Sequence, residues 1–197
     1  MIVLLVEGET ETVLKEHLKQ FLDERAAAEG QPKVALRAKD IMTLSAERLC
    51  RRIALELGDP QVTAVIGLVD VYPNFSSARE AKDFLRQTAG GNPRFYPHAA
   101  QYEVEAWILP YWKDICRRVG VQRAAPGQNP EQVNRLRPPS HHLADLYQLA
   151  RPRKKYVKTI EMAAILRGKD LIIAAEQCPE FKSFLNTLLE LGGLKPL

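Results

Sequence analysis

Ile2-Val3-Leu4-Leu5-Val6-Glu7-Gly8-Glu9-Thr10-Glu11 is the stretch on which the fold turns. Five apolar residues run straight into a carboxylate, a glycine and two more carboxylates. A run of this kind reads as a strand buried on both faces of a parallel sheet. Gly8 permits a sharp exit, and Glu9 to Glu11 open a helix, where acids suit the positive end of the dipole. Glu7 is thereby placed at the carboxyl end of a central strand. In open α/β sheets that edge is where ligands bind.

Val62-Thr63-Ala64-Val65-Ile66-Gly67-Leu68-Val69 repeats the arrangement and ends on Asp70. If the two strands are parallel neighbours, Glu7 and Asp70 emerge on the same rim. Carboxylates held that close repel each other and call for a proton or a cation between them. Oxygen-only ligands favour a hard ion, magnesium or manganese, over zinc. The plainer alternative is that each acid merely caps the helix that follows.

Between these strands, residues 9–28 place Val13, Leu14, Leu18, Phe21 and Leu22 on one helical stripe. Residues 33–39 alternate as a half-exposed edge strand, and Ser45 caps a helix that runs to Leu57. After Asp70 come a loop, a helix over 78–88, a glycine-rich turn and a fourth strand over 94–101. The first hundred residues spell β-α-β-α-β-α-β. This predicts an α/β fold: a mostly parallel four-stranded sheet with helices on both faces. Residues 1–112 form the predicted core, and 113–197 a helical extension packed on it. Residues 102–112, at the end of the core, read as helical. Residues 120–139, with four prolines and two glycines, read as a long loop. Ser140 is a predicted cap for a helix to Leu149, and 160 onward is helical, broken near Gly168 and Cys178-Pro179.

With 46% hydrophobic and 26% charged residues, the chain has the composition of a soluble globular protein of one main domain. No apolar run approaches the roughly 20 residues needed to cross a bilayer. There is no basic, apolar leader pattern, so a cytoplasmic location is expected. Cys50, Cys116 and Cys178 lack metal-ligand spacing and read as reduced thiols. The net charge of +4 permits a nucleic-acid partner without requiring one. There is no GxxxxGK[ST], so the chain is not a P-loop ATPase. No GxGxxG follows the first strand, which argues against dinucleotide binding.

Three further groups could carry chemistry. In Tyr102-Glu103-Val104-Glu105-Ala106-Trp107, acids two apart cannot share one helix face but can straddle a strand-to-helix junction. Either Glu103 or Glu105 could therefore reach the rim beside Asp70. In Arg151-Pro152-Arg153-Lys154-Lys155-Tyr156-Val157-Lys158, five of eight residues are basic. Arg153, Lys154, Lys155 and Lys158 could grip phosphates, and a lysine among carboxylates can stabilise a transition state. A solvated basic face is the alternative. His141-His142 are too close in sequence to ligate one ion from a helix face.

Leu5-Val6-Glu7-Gly8-Glu9-Thr10-Glu11 with Gly67-Leu68-Val69-Asp70 resembles the Toprim catalytic domain of topoisomerases, primases and overcoming-lysogenization-defect nucleases. More closely, Val6 to Glu11, Glu103 to Trp107, Lys155-Tyr156-Val157-Lys158 and Cys178-Pro179-Glu180-Phe181 resemble a bacterial Toprim-like family, domain of unknown function 4276. The resemblance implies a Toprim-like, Rossmann-like fold and a divalent-metal-dependent nuclease, with Mg2+ or Mn2+ as cofactor. Glu7 matches the Toprim glutamate, as general acid/base or metal ligand, and Asp70 the first aspartate of the acidic pair. The second aspartate is expected at position 72, where this chain has Tyr72. Glu103 or Glu105 is then the expected replacement, with Lys158 beside them. The implied partners are nucleic acid, DNA before RNA, and an ATPase encoded alongside, an arrangement similar to antiphage systems. Tyr72 also leaves open a non-catalytic subunit of such an ATPase.

Overall fold

The computed structural model describes residues 1–41, 45–133, 137–150 and 152–197, and for residues 9–12 the backbone alone. The predicted Arg151 contribution to the basic segment and the acids at 9 and 11 therefore lie outside the described side chains. Four strands, β1 (Ile2–Val6), β2 (Leu36–Asp40), β3 (Ala64–Asp70) and β4 (Phe95–Ala100), alternate with α1 (Glu9–Ala28), α2 (Ala46–Gly58) and α3 (Ala78–Thr88). A 3-10 segment (Val104–Tyr111) leads into α4 (Trp112–Val119). A short 3-10 turn (Pro130–Gln132) and helices α5 (Pro139–Gln148), α6 (Lys158–Leu166), α7 (Leu171–Gln177) and α8 (Pro179–Leu191) follow.

The sheet is wholly parallel, in the order β2-β1-β3-β4. β1 and β3 are neighbours, as their unbroken apolar runs require, and every residue of β1 is buried. The winding direction reverses between them, since β2 lies on one side of β1 while β3 and β4 lie on the other. A crevice opens at such a switch point, outside the carboxyl ends of the strands.

Strand pleating divides the interior in two. Ile2, Leu4, Val6, Ile66 and Leu68 share one core with α1 and with apolar residues of every helix from α4 to α8. Val3, Leu5, Val65 and Val69 face α2 and α3 through Leu49, Ile53, Leu57, Ala81 and Leu85. The helical extension thus covers the α1 face of the sheet. Its centre is Trp107, whose ring stacks on Phe181 at 4.6 Å and on Phe184 at 5.7 Å. Such ring pairs add about 0.5–1.5 kcal/mol each beyond their buried area.

Several local expectations are corrected. β2 starts three residues later and ends one residue later than the predicted 33–39, at Leu36–Asp40. Ser140 is not the cap of α5: Pro138 holds that position, and Ser140 lies in the first turn. Its amide and hydroxyl both donate to Glu103, at 2.9 and 3.0 Å, so the cap comes from a distant carboxylate. Cys116 and Cys178 are buried, whereas Cys50 is exposed. Among the described residues no helix is long and apolar enough to cross a membrane.

Candidate functional site

The carboxyl ends of β1, β2 and β3 each deliver an acid. Gly8 takes a φ of 93°, open to glycine, and turns the chain from β1 into α1. Glu7 precedes that turn, with its amide bonded to the Leu68 carbonyl at 3.3 Å. The Gly8 amide donates to Asp40 Oδ1 at 3.0 Å, which ties the end of β2 to the same corner. Asp70 closes β3, and its Oδ1 accepts the Val104 amide at 2.9 Å. That bond, with the Tyr72 amide on the Tyr102 carbonyl at 2.7 Å, joins the loops after β3 and β4.

The 3-10 segment starting at Val104 separates the two neighbouring acids. Glu103 remains in extended backbone and is committed to Ser140 at the start of α5. Glu105, one residue inside the segment, has no exposed surface. Lys158 Nζ lies 3.0 Å from Glu105 Oε2 and 3.7 Å from Asp70 Oδ2. Even so, neither Glu105 oxygen has a hydrogen bond of good geometry. The Tyr156 hydroxyl is likewise buried without one. Lys158 is the first residue of α6, the end of a helix at which a cation is disfavoured. The carboxylates hold it there against the dipole.

Electrostatics follow from this crowding. Burial raises Glu105 to about 7, opposed by Lys158 and reinforced by Glu103. Burial also lifts Glu7 above the usual carboxylate range; the Asp70 amide and Lys158 oppose it, and Asp40 adds to it. Tyr156 is pushed up by burial and then by Glu105. A carboxyl poised near neutrality can both take and give a proton.

Of the residues singled out from sequence, the structure brings Asp70, Glu105 and Lys158 into one ion-paired cluster, with Glu7 close enough to feel the Lys158 charge. Glu103 is adjacent but engaged at α5. Arg153, Lys154 and Lys155 lie exposed on the irregular segment entering α6, with Lys154 Nζ near the Arg118 carbonyl at 3.4 Å. Tyr156, the next residue, turns inward onto Tyr147, at 5.4 Å between ring centres. Tyr72 stands at the rim, 46% exposed. Asp40 was missed because the alternation in β2 fades at its end; a search for acids at every strand terminus would have found it. Glu131 was also missed, inside the proline-rich stretch. It is 5% exposed and accepts the Trp107 indole N–H at 3.1 Å and the Glu180 and Phe181 amides at 3.1 and 3.3 Å. Glu131 thus fastens α8 to the 3-10 segment that carries Glu105.

The donors at this corner are oxygens only, and Glu105 is buried without a good hydrogen bond. Among the described residues, no three His, Cys, Asp or Glu side chains are grouped as a ready-made metal cluster. Lys158 supplies the positive charge between Asp70 and Glu105 instead.

These features define a doubly wound α/β domain with acids gathered at its switch point and a lysine among them. The chain belongs to the family described as domain of unknown function (DUF4276), whose profile matches residues 6–189. No curated protein and no solved structure matches it.

Proposed function

We propose that this chain is a Toprim-like phosphodiester hydrolase acting on nucleic acid with Mg2+ or Mn2+. The observation that carries the reading is the meeting of Asp70, Glu105 and Lys158, with Glu7 alongside, at the crevice between β1 and β3. Glu7, Asp70 and Glu105 would hold the cation, which when bound supplies charge neutralisation and an acidified water. Lys158, now paired with Asp70 and Glu105, would then be available to a non-bridging phosphate oxygen, where charge grows in the transition state. Glu7, raised by burial, is suited to accept the proton of the attacking water. Arg153, Lys154 and Lys155 would hold the flanking phosphates, DNA being the first substrate to test. Glu103 serves the same site indirectly by fixing α5 against the loop after β4.

The test is cleavage of supercoiled plasmid with manganese by the native chain and by Glu7→Gln. Conversion to nicked or linear product by the former and not by the latter is expected. Undiminished cleavage by Glu7→Gln removes the proposed site.

Tyr72, standing where the acidic pair of Toprim enzymes has its second member, favours a second reading: a non-catalytic subunit of an ATPase, as in defence systems that split the two parts. Calorimetry decides between them. Absence of manganese binding together with a stable complex with an ATPase supports this second reading.

A further inference from the structure

A cavity of about 620 Å³ opens beside the acidic crevice, at the carboxyl end of β4. Gln101 and Tyr102 form one wall, Asn129, Glu131 and Gln132 of the short 3-10 turn another, and Glu180 lies at the start of α8. We infer that this cavity is a nucleobase subsite, which seats one unpaired base of the strand whose phosphate lies at Lys158. The inference rests on the nucleic-acid reading above.

Position comes first. Tyr102 is two residues from Val104, whose amide holds Asp70, so at most about 7 Å of chain separates the cavity wall from the crevice. Chemistry comes second. Three carboxamides and a phenol ring line the space, and among the described lining residues there is no Lys or Arg. A phosphate would find no counter-charge there. Both carboxylates are already committed: Glu131 to the Trp107 indole and the α8 amides, Glu180 to Lys82 at 2.8 Å. Two carboxamide oxygens are engaged as well, Gln101 Oε1 by the Ala78 amide and Asn129 Oδ1 by the Glu131 amide, so what remains is uncharged and polar: the carboxamide NH2 groups and the Gln132 oxygen. Through such groups carboxamides read the edge of a base, while an aromatic ring offers a stacking face.

Backbone strain supplies a third observation. Tyr102 has a φ of 66°, a left-handed conformation that a side chain of this size rarely adopts. The carbonyl of this strained residue is fixed by the Tyr72 amide, and Gln101 Oε1 is fixed by the Ala78 amide at 3.3 Å. Strain of this kind gathers at ligand sites. The wall is therefore set before any ligand arrives.

The experiment is fluorescence anisotropy with Ca2+, another hard oxygen-seeking cation, in place of Mg2+ or Mn2+, and gel electrophoresis of the strand afterwards verifies that it is uncut. It compares a labelled single-stranded DNA 12-mer with the same strand carrying abasic tetrahydrofuran units. The base-bearing strand is expected to bind roughly tenfold or more tightly, within the range that base stacking supplies. Gln132, an exposed residue of the short 3-10 turn, is the position to vary. Gln132→Trp fills the cavity and is expected to erase the preference while leaving abasic binding unchanged. Gln132→Ala reduces the preference without filling the space, and thermal melts verify that both variants fold. Equal binding of the two strands by the native chain, or a preference that survives Gln132→Trp, overturns the subsite and leaves the hydrolase reading standing. No binding of either strand overturns both.

Discussion

Glu105→Gln separates two accounts of how the buried acid is held. In the folded chain Glu105 is raised from 4.5 to about 7, chiefly by burial. At about 1.4 kcal/mol per unit, ionising it in place costs the fold about 3 kcal/mol. The sign follows from proton counting. Between about pH 4.5 and 7 the unfolded chain has released this proton while the folded chain retains it. Stability is therefore fully present below 4.5 and is lost as pH rises through 7. Glu105→Gln keeps the shape and removes the titration. It leaves a buried amide in need of partners, at a cost of about 1 kcal/mol at any pH. Near pH 4.5 the variant is expected to be slightly less stable than the native chain. Near pH 8.5 it is expected to be about 2 kcal/mol more stable. Urea unfolding in EDTA at both values measures the difference. The rival account is that Lys158, 3.0 Å away, holds Glu105 ionised as a buried pair. Breaking such a pair costs about 3–5 kcal/mol. A variant that at pH 8.5 is less stable than the native chain, by about 3 kcal/mol or more, would refute the burial argument and establish the rival.

Removing the other partner moves the same transition. Lys158→Met deletes a charge that lowers both Glu105 and Glu7, so the loss of stability in the titration of the native site extends to higher pH; an unshifted profile would show that Lys158 does not act on these acids. Glu131→Ala strips the Trp107 indole and the Glu180 and Phe181 amides of their acceptor. Because the cavity beside it admits water, the expected loss is about 2–4 kcal/mol in urea unfolding, and a loss below about 1 kcal/mol contradicts its anchoring role.

Local chemistry made part of this molecule readable in one dimension. A strand buried on both faces must be apolar throughout, so β1 and β3 announce themselves, and the acids that end them, Glu7 and Asp70, come with them. The three βα units, the fourth strand and the parallel sheet follow from the same patterning. Sequence spacing could not choose between Glu103 and Glu105. That choice depends on where the 3-10 segment begins and on which acid reaches Ser140, 37 residues away. Asp40 enters the corner only because strand register sets it opposite Val6. Lys158 reaches Glu105 and Asp70 across 53 and 88 residues only because α6 packs against the α1 side of the sheet. Periodicity reports which way a side chain faces along its own element. The distance between two charges is decided by how whole elements pack, and burial then sets their protonation.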